Sequence, residues 1–187
     1  MEHFSVLSLD MAGNPHKWLN LEEACHYYVT GHVMYDFGDS ETVLHGGYQR
    51  NGEQSILTIK SIISVRGTAG ARFKSQNVPQ RQGDMIFRRD HNMCAYCGEV
   101  YDSHLLTRDH IKPRSRGGDN SWMNLVTCCV GCNNKKDDRT PEEARMQLLY
   151  VPYVPCLYER FILSNKRILA DQMEYLKARL PAHSRHL

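Results

Sequence analysis

The chain has 187 residues, 41% of them hydrophobic, and its 23 lysines and arginines face 21 acidic residues for a formal net charge of +2. This length suits one domain or a small domain with an insert, and the apolar content supports a modest core without strong global basicity. No apolar run reaches membrane-spanning length, and the N-terminus lacks the positive region and apolar core of a signal peptide, so a cytoplasmic protein with no membrane partner is expected.

In chain order, FSVLSLD reads as a strand and MAGNPHKW as the turn after it. Asn20 starts a helix, with Glu23 placed for reciprocal capping, and that helix runs through ACHYYVT to stop near Gly31. GHVMYDF and EQSILTIKSIISVRG read as further strands, which gives a small α+β layer over residues 1–82. His16, His26, His32 and His45 show no paired ligand spacing and read as structural or surface residues. GTAGARFKSQNVPQRQG is a loop or extended linker, and DMIFRRDHNMCAYCG enters the next section through a short helix.

Residues 83–150 carry the densest chemistry. Cys94/Cys97 and Cys129/Cys132 are two CxxC pairs, whose spacing lets four thiolates close a tetrahedral structural zinc site. Cys128 adjoins the second pair, but the spacing Cys129-x-x-Cys132 mirrors the first pair and leaves Cys128 as a small buried residue. With Cys25 and Cys156 also left over, the seven cysteines fit a reducing compartment better than a disulfide framework. Four thiolates leave no open position on the metal, so other groups must supply any chemistry. Between the pairs, LLTRDHIKP reads as a strand ending near Asp109 and His110, PRSRGGDNSW as a loop, and Asn124 to Thr127 as a second strand. The polar segment from Cys132 to Asp138 reads as a helix that brings Asn133 opposite the first strand.

The pattern CAYC, DHIKP, GG, NL and CVGCNNKK resembles the HNH endonuclease family in its ββα-metal form. The resemblance covers a quarter to a third of the chain, with Asn133 at a signature position that histidine or asparagine fills. It implies that His110 is the general base, that Asp109 and Asn133 hold a catalytic Mg²⁺ or Mn²⁺, that Asn124 ties the loop between the strands, and that Lys136 contacts phosphate. A neutral imidazole can take a proton from water near neutral pH, and two hard oxygen ligands leave most positions of an octahedral ion for water and phosphate. Arg88, Arg89, Arg114, Arg116, Lys135 and Lys136 are the expected nucleic-acid contacts, although a solvated charge is the ordinary reading of any one of them. The expected substrate is DNA, in duplex form, with a homodimer as one route to cutting both strands. A zinc-stabilised nucleic-acid-binding module without cleavage is the alternative reading; a zinc-clipped module that binds a protein partner through its C-terminal helix is weaker, because it leaves Asp109, His110 and Asn133 unexplained.

In RTPEEARMQLL, Thr140, Pro141 and Glu143 read as the start of a helix, which VPYVPCLYE interrupts. From Ser164, NKRILADQMEYLKARL reads as a second helix with Ile168, Leu169, Met173, Leu176 and Leu180 on one face, and HSRHL as a mobile tail. The overall expectation is an α+β protein: an N-terminal accessory section (1–82), a zinc-stabilised nuclease core (83–150) and a C-terminal helical extension (151–187).

Overall fold

A computed structural model describes residues 4–66, 77–79 and 84–186. The loop read at 67–83 lies outside the described residues, apart from 77–79. The chain divides into two compact units, Met1–Ala71 with Leu157–Leu187, and Arg72–Cys156. Among the described residues no helix is long and apolar enough to cross a membrane.

The first unit is built on a four-stranded sheet. β1 (Val6–Leu9) pairs antiparallel with β2 (Pro15–Leu19), bringing Val6 opposite Leu19. The turn expected across MAGNPHKW is therefore shorter than read, and its second half is a strand. Asp10 closes the turn by accepting the N–H groups of Ala12 at 2.9 Å and Asn14 at 2.8 Å. β3 (Val33–Tyr48) and β4 (Gln54–Val65) form a long antiparallel hairpin, β1 joins β4 in parallel, and the order is β2-β1-β4-β3. α1 (Leu21–Val29) starts as its sequence directs: Asn20 accepts the Glu23 N–H at 2.8 Å and Glu23 accepts the Asn20 N–H at 3.1 Å. It covers a core of Val6, Leu19, Ala24, Ile59, Ile63 and Val65.

The C-terminal helices belong to this unit, whereas the sequence set them apart as an extension. They also differ in extent from the single helix expected after Ser164. α4 (Leu157–Ser164) comes earlier, and α5 (Ala170–Lys177) starts after a break. The break has local causes. Ser164 turns its hydroxyl back to the Phe161 carbonyl at 3.0 Å, Asn165 accepts the Arg167 N–H at 3.0 Å, and Gln172 accepts the Leu169 N–H at 3.1 Å. Gln172 is fully buried and donates to the carbonyls of Ser5 and Ser61, while Asp171 accepts from the Ser40 N–H and the Ser61 hydroxyl, so α5 is tied to the sheet by polar bonds. Of the expected apolar stripe, only Met173 and Leu176 lie on α5. The tail is also anchored: Ser184 donates to the Glu159 carboxylate at 2.6 Å.

In the second unit α2 (Asp84–Arg89) precedes β5 (Leu106–His110), β6 (Leu125–Cys129) and α3 (Val130–Lys136). β5 and β6 pair antiparallel with His110 opposite Leu125, and α3 follows β6 without a loop, giving the expected ββα arrangement. The helix expected in RTPEEARMQLL is not formed. Thr140 and Glu143 do exchange their capping bonds, but Arg145 adopts a left-handed φ of 53° and ends the turn, and the Leu149 N–H then reaches the Ala95 carbonyl at 2.8 Å.

A four-cysteine centre and the pocket beside it

The first candidate centre is the cysteine clip. The sulfurs of Cys94, Cys97, Cys129 and Cys132 all lie within 4.8 Å of one another. Four thiolates about 2.3 Å from a tetrahedral zinc would stand roughly 3.8 Å apart, so the cluster suits a structural metal such as zinc. Cys128 is outside it, fully buried, with its thiol directed to the Cys129 carbonyl at 3.3 Å. Burial raises the Cys94 thiol, while the N–H groups of Cys97, Cys129 and Tyr96 lower it, and the net direction is down.

Between the two pairs, the loop that returns β5 to β6 is held by Asn124. Its Oδ1 accepts the Lys112 N–H at 2.8 Å, and its Nδ2 donates to the carbonyls of Lys112 at 3.1 Å and Asp119 at 2.9 Å. Both glycines of the GG pair are needed. Gly117 has a φ of +79°, and a Cβ on Gly118 would stand 1.8 Å from the Lys112 carbonyl oxygen.

This loop and α3 border an open pocket of about 320 Å³, lined by Asp109, His110 and Asn133 together with Arg108, Arg114, Ser115, Lys136, Asp137 and Asp138. Asn133 donates its Nδ2 to the Thr107 hydroxyl at 3.0 Å, and its Oδ1 has no other partner among the described residues. His110 Nε2 lies 2.9 Å from Asn120 Oδ1. A carbonyl oxygen only accepts, so Nε2 carries the hydrogen and the neutral ring keeps its lone pair on Nδ1. Asp109 is buried, taking the Tyr96 hydroxyl on Oδ2 at 2.6 Å and the Lys136 ammonium on Oδ1 at 2.9 Å. Burial, followed by the neighbouring Asp109 carboxylate, pushes the Tyr96 hydroxyl well above the ordinary tyrosine range and keeps it a donor.

The expected basic contacts separate into different roles. Arg114 lines the pocket, and Lys135 is exposed on α3 away from its lining. Arg116 is exposed but paired with both oxygens of Glu143 at 2.7 Å. Arg88 is half-buried at the end of α2. Arg89 is a correction. It is fully buried, paired with Asp90 at 2.7 Å, and donates to the carbonyls of Trp122 and Leu125 at 2.6 and 2.8 Å, so its charge is consumed inside the unit and cannot meet a phosphate. Lys136, expected to contact phosphate, is 1% exposed and bonded to Asp109 and the His110 carbonyl.

Residues 94–149 match the HNH endonuclease family. The second unit carries an HNH domain. Over 81 residues the chain is 35% identical to the CRISPR-associated endonuclease Cas9 of Campylobacter jejuni, a match that takes in 40% of this chain and 8% of that protein. The similarity therefore concerns the HNH domain and a small part of the relative's length. Three residues that shape this HNH site escaped the sequence reading: Tyr96, Asn120 and Thr107. Tyr96 could have been suspected from its place between two metal ligands, whereas Asn120 and Thr107 carry no signal until the loop and the strand pair are folded.

Proposed function

We propose that the HNH domain is a divalent-metal-dependent endonuclease that hydrolyses DNA phosphodiester bonds. The observation that carries this reading is the convergence of Asp109, His110 and Asn133 on one open pocket. His110 takes the proton of the attacking water on Nδ1, with Asn120 fixing the ring and the tautomer. Asp109 and Asn133 offer two hard oxygen donors, a set that fits Mg²⁺ or Mn²⁺ and leaves most of an octahedral shell to water and phosphate. Such an ion supplies charge stabilisation at the phosphoryl and leaving oxygens. Arg114 and Arg108 at the pocket edge hold adjacent phosphates of a duplex, an attraction that fixes position without reading sequence. One hydrolytic centre per chain nicks one strand per encounter, so cutting both strands calls for a second copy or a second event.

One observation favours a binding module without cleavage: both oxygens of Asp109 are already engaged. Plasmid cleavage after EDTA treatment, with Mg²⁺ or Mn²⁺ added back, separates the two readings. Nicking restored by the ion in the intact protein and lost about 10²–10⁴-fold in His110→Ala is the expected result. DNA binding without nicking, with zinc retained, would establish the binding module instead.

A further inference from the structure

Lys136 sits where a divalent ion would have to work. Its Nζ is 2.9 Å from Asp109 Oδ1 and 2.9 Å from the His110 carbonyl oxygen, and it is 1% exposed. Tyr96 occupies the other Asp109 oxygen at 2.6 Å. The carboxylate that offers the pocket its only buried negative charge among the described residues is thus neutralised by a cation of the chain itself. A carboxylate oxygen has lone pairs to spare, so crowding alone would not exclude a metal. Charge would. An ion about 2.1 Å from the same carboxylate falls within a few ångströms of an ammonium, in a buried setting where like charges are poorly screened.

Lys136 is also placed to leave. It lies three residues after Asn133 on α3, so the two residues share a helix face beside the pocket. Its four-carbon stem lets the ammonium swing out without movement of the helix backbone. A phosphate at the pocket mouth would offer it a new partner of the right charge.

We propose that Lys136 is a resident counter-ion of Asp109 which the divalent ion must displace, and that a DNA phosphate accepts the displaced ammonium. Metal binding is weak in the DNA-free protein and strengthens on DNA, and by linkage DNA binding strengthens with metal. This rests on the reading of Asp109 and Asn133 as ligands of the catalytic ion.

The test uses the zinc-loaded 187-residue chain carrying His110→Ala to prevent cleavage, with Mn²⁺ binding followed by electron paramagnetic resonance. The expected result is weak Mn²⁺ binding without DNA and at least 10-fold tighter binding with a DNA duplex. Adding Lys136→Met should tighten Mn²⁺ binding at least 10-fold without DNA and flatten the response to the duplex. Lys136→Gln should follow the methionine variant, whereas Lys136→Arg, which keeps the charge, should not. Mn²⁺ should also raise the melting temperature more in Lys136→Met than in its parent, a readout that serves even if the unpaired Asp109 weakens the fold. Unchanged or weaker Mn²⁺ binding in both neutral variants, with binding still abolished by Asp109→Asn, would overturn the counter-ion role while leaving the metal ligands in place. No Mn²⁺ binding in any variant, with or without DNA, would overturn the ligand reading and the counter-ion role together.

Discussion

Tyr96 donates its hydroxyl hydrogen to Asp109 Oδ2 at 2.6 Å, so a residue enclosed by the first metal-ligand pair holds the carboxylate of the adjoining pocket. One hydrogen bond thus links the clip to the pocket. Hydrogen bonds to charged groups contribute about 1.5–3 kcal/mol. Tyr96→Phe should therefore keep its zinc and lower the cleavage rate roughly 10–100-fold. Because burial and the Asp109 bond raise the Tyr96 hydroxyl above the ordinary tyrosine range, the donor stays protonated up to and beyond that range, and the ratio of wild-type to variant rates should stay flat from pH 6 to 9. Zinc content by elemental analysis beside a pH–rate profile checks both statements.

Replacing Cys94 or Cys132 by serine should abolish cooperative unfolding of the HNH domain, since a metal held by this cluster would join the two ends of the finger. Cys128→Ser should leave one metal per chain, because its thiol lies outside the cluster. Metal stoichiometry and thermal melts of the three variants decide this, and loss of the metal from Cys128→Ser would reassign the ligand.

Asn120→Ala removes the acceptor that fixes the His110 ring at 2.9 Å. The expected effect is a fall in kcat of about 10-fold, with DNA affinity and Mn²⁺ affinity unchanged, since a single neutral hydrogen bond contributes about 0.5–1.5 kcal/mol. Single-turnover cleavage at saturating DNA measures it.

The features read correctly from sequence are those whose cause is local. A CxxC pair brings two thiolates to one turn whatever surrounds it, and the Asn20/Glu23 capping exchange is complete within four residues. The positions of Asp109 and His110 at the end of a short strand, and of Asn133 on the helix that starts where β6 stops, were legible from the local pattern. The misread features are those decided by distant partners. The Thr140/Glu143 capping bonds form as expected, but the chain then leaves the helix to meet Ala95, which no local rule announces. Gln172 and Asp171 reach Ser5, Ser40 and Ser61 far away in sequence, and these bonds fix where α5 starts.

Asn124→Ala removes three bonds that hold the loop between β5 and β6, and Gly118→Ala forces a Cβ against the Lys112 carbonyl. Each should destabilise the HNH domain, the asparagine variant by about 0.5–1.5 kcal/mol for each loop bond lost at this partly exposed position. Urea unfolding of the metal-loaded protein gives the values, and an undisturbed midpoint in Gly118→Ala would show that the loop can take another path.

Arg89 and Arg114 looked alike as charges in the sequence, and the fold separates them. Arg89 is sealed against Asp90, Trp122 and Leu125, while Arg114 is exposed at the pocket. Arg89→Ala leaves Asp90 buried without its cation, and breaking a buried pair in this way costs about 3–5 kcal/mol. The folded fraction should nevertheless bind DNA with an unaltered salt dependence. Arg114→Ala should do the reverse, sparing the melting temperature and reducing the slope of log affinity against log salt by about 0.9, the contribution of one neutralised phosphate. Fluorescence anisotropy across a salt series, paired with calorimetric melts, measures both. A slope lost in folded Arg89→Ala would mean that this guanidinium leaves its pocket to meet the backbone.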